Sequence, residues 1–265
     1  MTLPPRLDAP VLIDLQGVEK TYRTVDGPLT SLRAVSFDVR EGEFLSIVGP
    51  SGCGKSTLLK ILAGLLPLSG GEARIKGRVV DGPQDGVGMV FQSPVLLAWR
   101  DVLGNVMLQI EIRGLEREPY RRRALELLQV VGLAGFERKR SWELSGGMQQ
   151  RVAICRALVH DPSLLLMDEP FGALDAMTRE MMNLELQRIW MATKKTVLFV
   201  THSIPEAVFL SDRVLVMTER PGTVDKIYDI PLPRPRSLQN MGTPDFSALA
   251  QAIRGHFFAQ GIVDH

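Results

Sequence analysis

Four short apolar segments, each followed directly by polar residues, constrain the fold of this 265-residue chain more than any other feature. Segments with helical character separate them, and continuous apolar strands that alternate with helices are typical of a parallel sheet covered on both faces. Ligands of such sheets bind at the carboxyl ends of the strands. We therefore expect an α/β fold in which all four segments bring their polar residues to one edge. The segments are Phe44–Val48 before Gly49, Val87–Phe91 before Gln92, Leu164–Met167 before Asp168-Glu169, and Val197–Val200 before Thr201-His202.

Two further regions are predicted beside this parallel sheet. Apolar-alternating runs at Val11–Leu15 and Ala34–Val39 flank a predicted turn at Gly27-Pro28, which favours an antiparallel β subdomain. Helical patterns at Asp101–Ile112 and Glu118–Val131 interrupt the α/β alternation. We expect these helices to form an inserted α-helical subdomain at about residues 93–145.

The two ends of the chain differ from its middle. Residues 1–10 are rich in proline, and we expect a flexible N-terminus there. Residues 237–265 form a predicted C-terminal helical extension, in which Thr243-Pro244-Asp245 is a typical helix start. Its apolar stripe has two interpretations, a helix docked on the domain or a surface for a partner. The stripe consists of Phe246, Leu249, Ile253 and Phe257.

The segment Gly49–Thr57 matches the phosphate-loop pattern G-x-x-x-x-G-K-[ST], and it follows a predicted strand and opens a predicted helix at Leu58–Ala63. Such a loop lets backbone N–H groups and a helix N-terminus bind phosphate oxygens. Lys55 would reach the β- and γ-phosphates, and Ser56 would offer its hydroxyl to Mg²⁺. A glycine-rich turn without a ligand would not require this Lys-Ser pair. The predicted nucleotide contacts are Gly49, Pro50, Ser51, Gly52, Cys53, Gly54, Lys55, Ser56 and Thr57.

Cys53 lies inside this loop, close to a helix N-terminus that can lower the pKa of a thiol. One hypothesis is a reactive thiol whose alkylation inhibits the protein and which a bound nucleotide protects. The other is an inert, packed thiol. Only one more cysteine, Cys155, is present, so no disulfide framework is expected and a reducing compartment suits the chain.

Acidic and amide side chains at the other strand ends complete the predicted chemistry. Asp168 can hold Mg²⁺, and Glu169 can polarise an attacking water as a general base. Taken alone, this acid pair could be a solvated turn, Gln92 an ordinary surface residue, and His202 the residue before a helix cap at Ser203. Their shared position beside a phosphate loop favours a nucleotide-binding role.

Leu144–Arg151 reads Leu-Ser-Gly-Gly-Met-Gln-Gln-Arg and precedes a long helical segment. Ser145 is a good N-cap, and the two glycines leave N–H groups that can receive an anion. An ordinary capped helix is the simpler interpretation, but it does not explain the length of the pattern.

Together, these motifs resemble those of ATP-binding cassette (ABC) ATPases, from about Leu12 to Arg236. The resemblance implies a P-loop NTPase core that binds ATP and Mg²⁺, with an ABC ATPase domain at residues 11–236. It further implies catalytic roles for Lys55, Gln92, Glu169 and His202, and metal contacts from Ser56, Gln92 and Asp168. Tyr22 is similar in place to the aromatic residue that stacks on adenine, although it could be a strand residue in the core. Asp175 resembles the residue that couples two sites, although it could simply cap the next helix.

The family resemblance also implies partners. Two copies would pack head to tail, so that Ser145, Gly146 and Gly147 of one copy close on the ATP held by the other. Permease subunits, and through them a solute-binding protein, would place the chain at the cytoplasmic face of a bacterial inner membrane. Three stretches are similar to importers of the nitrate, sulfonate and taurine group, with Ala98 and Cys155 as departures from the usual residues. They are Leu97–Leu103, His202–Met217 and Asp229–Arg236.

Other functional classes fit less well. The formal net charge is +1, which does not indicate a nucleic-acid binder acting through bulk charge. The alternative is a soluble non-transport ABC ATPase acting on nucleic acid or ribosomes. Such proteins tend to carry tandem cassettes or a long coiled-coil insertion, and this sequence has one set of motifs. A P-loop kinase would leave Leu144–Arg151 unexplained, and an exporter would usually carry fused membrane helices.

Overall fold

A computed structural model describes residues 9–259, so the expected flexible N-terminus at 1–10 lies almost entirely outside the described residues. The strands are β1 Val11–Thr24, β2 Gly27–Arg40, β3 Phe44–Val48, β4 Gly70–Ile75, β5 Arg78–Val79, β6 Val87–Val90, β7 Leu164–Asp168, β8 Thr196–Val200, β9 Arg213–Met217 and β10 Val224–Asp229. The α-helices are α1 Lys55–Leu62, α2 Val102–Val106, α3 Leu108–Ile112, α4 Arg117–Val130, α5 Gly146–Leu158, α6 Ala176–Thr193, α7 Ile204–Leu210 and α8 Pro244–Ala259. Short 3₁₀ helices lie at Ser141–Glu143 and Leu238–Gly242.

The chain divides into two compact units. The first combines the segment that ends at Gln84 with the segment that begins at Lys194, and the second is the continuous segment Asp85–Thr193. Within residues 9–259, none of the helices is both long enough and apolar enough to cross a membrane.

The first unit contains an antiparallel sheet with strand order β2-β1-β4-β5. The predicted apolar runs lie in β1 and β2, whereas β4 and β5 were not predicted. Thr24 pairs with Gly27 across the first hairpin, so the turn lies at Val25-Asp26 and the predicted turn at Gly27-Pro28 is wrong. Pro28 is accommodated because it stands near the start of an edge strand, where a missing N–H costs little.

The first unit also contains part of the predicted parallel arrangement. β3 lies between β8 and β9 and is parallel to both, and all five of its residues are buried. Ile47 pairs with Val200, so the residues that follow β3 and β8 leave the sheet at the same end. β9 was not among the four predicted segments. The antiparallel strand β10, which extends this sheet beside β9, was not predicted either.

The second unit contains the other two predicted strands of the parallel arrangement. β6 and β7 are parallel, with Val90 paired with Met167, so Gln92 and Asp168 lie at the same end of the two strands. The helical stretch predicted at Asp101–Ile112 is two helices, α2 and α3, because the chain turns at Met107. The α/β fold with a parallel sheet, an antiparallel sheet and helices is thus confirmed.

Arg236, a buried residue in the C-terminal segment of the first unit, is hydrogen-bonded to the end of α7. Arg236 is 2% exposed. Its Nη1 donates to the carbonyl oxygens of Val208, Phe209 and Ser211 at 2.7, 3.0 and 2.8 Å, at the C-terminal end of α7. A cation suits this position because the last carbonyls of a helix lack intrahelical partners. Burial lowers the pKa of Arg236 to about 9, so the guanidinium is still charged at neutral pH.

The C-terminal extension lies on the first unit. Phe246 and Ile253 of α8 are 3% and 0% exposed. The hydroxyl of Tyr228 in β10 donates to the carbonyl oxygen of Ala252 at 3.3 Å. The apolar stripe of α8 therefore contributes to the core of this unit.

We expect Arg236→Met to lower the free energy of unfolding by about 3 kcal/mol, because several buried carbonyls lose a charged donor. Urea denaturation followed by circular dichroism measures the change. Arg254→Met on the exposed face of α8 is the control and should change stability by less than about 0.5 kcal/mol. Equal stabilities of the two variants would contradict the assigned role of Arg236.

Candidate functional site

The phosphate loop follows β3 directly and turns into α1 at Lys55. Gly52 and Gly54 have φ angles of +74° and +109°, in the region that favours glycine. A Cβ atom on Gly54 would lie 2.6 Å from Leu32 Cδ2, so space as well as conformation requires glycine there. Glycine at these two positions therefore allows the segment to form this tight turn.

Lys55 is 5% exposed and bonds to the loop itself. Its ammonium group donates to the carbonyl oxygens of Gly49 at 2.7 Å and Pro50 at 2.9 Å. Ser51 and Gly52 at the tip of the loop are exposed, and Ser56 is half-buried in the first turn of α1. The predicted phosphate-binding residues thus form one continuous turn closed by the lysine side chain.

Cys53 is 1% exposed within this turn. A side chain so well covered reacts slowly with alkylating reagents, since the reagent must reach the thiolate. The structure favours the packed-thiol hypothesis. The other cysteine, Cys155, is also buried, and burial raises the pKa of its thiol.

Tyr22 lies beside the phosphate loop. Its hydroxyl oxygen is 3.1 Å from Thr57 Oγ1 in α1, and the side chain is half-buried. The ammonium group of Lys20 lies 5.4 Å from the centroid of the tyrosine ring, within the range of a cation–π contact. Tyr22 is therefore in contact with the loop and is not a fully buried core residue. No local sequence pattern indicates Lys20, because it lies in β1, away from the loop along the chain.

His202 is exposed at the end of β8, between two residues that are fixed by hydrogen bonds. The buried Thr201 hydroxyl donates to the carboxylate of Glu206 and accepts the N–H of Ser203 at 3.0 Å. Ser203 Oγ in turn accepts the N–H of Glu206 at 3.4 Å, which caps α7. Sequence reasoning missed Glu206, although its place three residues after a Ser N-cap is typical of a capping box.

In the second unit, Asp168 is the last residue of β7 and Glu169 begins the following loop. Glu169 has a φ of +44°, an unfavourable backbone conformation for a non-glycine residue that often marks functional sites. The N–H of Gly172 donates to the Glu169 carbonyl at 3.1 Å. A Cβ atom on Gly172 would lie 3.4 Å from Gln92 Nε2. The structure therefore brings Gln92 to the loop that carries the acid pair.

The segment Leu144–Arg151 forms the start of α5, with Ser145 as its N-cap accepting the N–H of Met148 at 3.3 Å. Ser145 and Gly146 are exposed, whereas Gly147 is buried. A Cβ atom on Gly147 would lie 3.1 Å from Thr178 Cγ2. The helix start is thus open to solvent on one side and packed against α6 on the other.

Asp175 directly precedes α6 and is exposed. It accepts the hydroxyl of Thr178 at 2.6 Å and the N–H of Thr178 at 3.0 Å. These hydrogen bonds lower the pKa of the Asp175 carboxyl. Asp175 therefore caps α6, and Thr178, to which it is hydrogen-bonded, also packs against Gly147.

A family description for ABC transporters matches residues 32–172, more than half of the chain. The chain belongs to the ABC transporter family. The matched range includes the phosphate loop, Gln92, Leu144–Arg151 and the acid pair. Membership identifies the chain as an ATP-hydrolysing cassette.

Known relatives of this cassette cover most of its length. It is 48% identical to the taurine import ATP-binding protein TauB of Rhizobium johnstonii over 84% of this chain and 87% of that protein. The dimeric structure of a bacterial ABC transporter cassette is similar, with a TM-score of 0.73 and 35% identity over 83% of this chain and 99% of that one. A dimeric post-hydrolysis state of such a cassette with bound ADP and Pi has a TM-score of 0.72, with 34% identity over 83% and 99% of the two chains.

We expect Thr201→Val to lower kcat for ATP hydrolysis about ten-fold, because the loop that carries His202 loses the hydroxyl that orients it. The Kd for ATP should change by less than about two-fold, since Thr201 is outside the phosphate loop. Steady-state kinetics and a nucleotide titration separate the two effects. Thr24→Val in the exposed first hairpin is the control, and an unchanged kcat in Thr201→Val would argue against this positioning role.

Proposed function

We propose that this cassette powers a bacterial importer for taurine or a related small sulfonate, or for nitrate. The observation that carries the proposal is the 48% identity to a protein named for taurine import, which extends over most of both chains. That name also favours transport over the alternative of an ABC ATPase acting on nucleic acid or ribosomes.

In this proposal, the phosphate loop and Lys55 bind the β- and γ-phosphates of ATP, and Tyr22 stacks on the adenine. Glu169 acts as the general base that polarises the attacking water, and its fixed backbone conformation suits a residue whose carboxylate must be accurately placed. His202 contacts the γ-phosphate, and Gln92 responds to the state of the nucleotide. These roles follow the family resemblance, residue by residue.

Mg²⁺ would be held by Ser56, Gln92 and Asp168. The set fits the ion by its chemistry, because a hydroxyl, an amide oxygen and a carboxylate are hard oxygen donors and Mg²⁺ usually keeps several waters. Each of the three side chains is at least partly exposed, so none is closed off from a solvated ion. Clusters of three or more His, Cys, Asp or Glu suited to a metal are absent from the described part of the chain. Bound Mg²⁺ would supply charge neutralisation for the phosphates.

We propose that the working form is a head-to-tail dimer bound to permease subunits at the cytoplasmic face of the inner membrane. The dimeric state of the similar cassettes supports the first part. The exposed N-terminus of α5 supports it too, because Ser145 and Gly146 present uncovered surface to a second molecule. Asp175 would then couple the two nucleotide sites. ATP would drive the cycle by binding the closed dimer more tightly than the open one.

We expect Glu169→Gln to bind ATP with nearly unchanged affinity and to hydrolyse it about 100-fold or more slowly, because the general base is lost. The measurement is phosphate release by the complete transporter in liposomes, with uptake of labelled taurine, an alkanesulfonate and nitrate in parallel. Glu180→Gln, at an exposed position of α6, is the matched control. Normal turnover in Glu169→Gln would exclude Glu169 as the base. If the transporter with the unchanged protein takes up none of the three solutes, the proposed substrate class is excluded.

We expect Ser145→Arg to leave ATP binding by the single subunit within about two-fold of the unchanged protein and to reduce turnover by about 100-fold. The larger, charged side chain blocks the helix start that would meet the second nucleotide. In the Glu169→Gln background, size-exclusion chromatography with ATP should show a dimer that Ser145→Arg abolishes. Ala248→Arg inserts the same side chain on the exposed face of α8, and it should preserve the dimer. A dimer that persists with Ser145→Arg would contradict the head-to-tail arrangement.

A further inference from the structure

The turn between β9 and β10, Arg220-Pro221-Gly222, has no role in the chemistry described above, yet it contacts β2. The N–H of Gly222 donates to the carbonyl oxygen of Ser31 at 2.9 Å, and the N–H of Arg33 donates to the carbonyl oxygen of Gly222 at 3.0 Å. These two bonds form an isolated parallel bridge between Gly222 and Leu32. The turn is therefore fixed on a strand that is distant from it in sequence.

Gly222 also lies directly against the phosphate loop. A Cβ atom on Gly222 would be 2.0 Å from the carbonyl oxygen of Cys53, a distance that real side chains do not adopt, and 3.0 Å from Met217 Cε. Gly222 is not among the residues with a positive φ. Glycine is thus required here by close contact with the loop backbone and not by its own conformation.

Ser31 joins the turn to the loop from a second side. Its carbonyl oxygen, which accepts the Gly222 N–H, would lie 3.0 Å from a Cβ atom on Gly54. Its hydroxyl donates to Thr57 Oγ1 at 3.4 Å. The turn, β2 and the phosphate loop consequently form one packed cluster, in which a shift of the turn must move the loop.

The contact orients one particular peptide group. The Cys53 carbonyl carbon is 3.1 Å from the same Cβ position and the oxygen is 2.0 Å, so the C=O bond points toward Gly222. In a trans peptide the C=O and N–H groups point in opposite directions, so the N–H of Gly54 points away from the turn. Backbone N–H groups at the start of a helix are the donors that bind phosphate.

We propose that Gly222 is a positioning residue for nucleotide binding, which holds the Cys53–Gly54 peptide so that its N–H can bind phosphate. The proposal rests on the ATP-binding function proposed above. It assigns part of the affinity for ATP to a turn that lies outside every nucleotide-binding motif of the chain.

The test is Gly222→Ala in the full chain. We expect the Kd and the KM for ATP to rise about ten- to a hundred-fold, because the added methyl group displaces the Cys53 carbonyl. At saturating ATP, kcat should stay within about three-fold, since the catalytic side chains are untouched. Gly242→Ala is the matched control: it is in the same unit, also has no positive φ, and has open space around its Cβ position.

The outcomes separate positioning from general stability. A lower melting temperature with unchanged Kd and KM would reduce Gly222 to a structural residue and overturn the proposal. If Gly222→Ala does not fold, Thr218→Val decides, because Thr218 Oγ1 accepts the N–H of Thr223 at 3.1 Å and so shapes the same turn. A Kd raised about three-fold or more would support the proposal, and an unchanged Kd would overturn it. Failure of the unchanged protein to bind ATP would instead refute the proposed function.

Discussion

The close packing of neighbouring atoms against the backbone around the phosphate loop is the constraint on which the site depends. Gly49, Gly54 and Gly222 each lie where a Cβ atom would meet neighbouring atoms, in the last two cases at 2.6 Å or less. Such packing prevents the loop backbone from shifting and leaves no space for larger side chains at these positions. In the phosphate-binding role proposed for the loop, its N–H groups are consequently held in place by the rigidity of their surroundings. The apolar strands β3, β8 and β9 supply that rigidity because their residues are almost all buried.

The elements that could be predicted from the sequence are those whose own residues show a recognisable pattern of apolar positions. β3 and β8 were found because every residue in them is apolar or small and buried, which is the signature of a strand covered on both faces. β10 was missed because its residues are half-buried or exposed, so no clear alternation marks it. The first turn was placed at Gly27-Pro28 because glycine and proline usually mark turns, whereas here the proline is tolerated in an edge strand.

The same distinction applies to the site. The phosphate loop, Glu169 and Ser145 belong to contiguous motifs in which spacing and residue type together indicate chemistry. Lys20, Glu206 and Gly222 were missed because their importance comes from contacts that only the folded chain creates. Gly222 and Cys53, for example, are far apart in sequence, and no local pattern indicates that a turn after β9 touches the loop after β3. Sequence motifs name the groups that meet a ligand, but the residues that hold those groups are defined by tertiary structure.

The discontinuity of the first unit has a consequence for biosynthesis. β3 ends at Val48, but its two neighbours begin at Thr196 and Arg213, after the whole of the second unit has been made. Chains emerge from the ribosome from the N-terminus, and strands can pair only once both have been synthesised. The continuous segment Asp85–Thr193 can therefore organise while β3 still lacks partners. The phosphate loop is translated early but is among the last parts to reach its final shape. Residues up to Gly222 must be synthesised before all of its packing partners are present.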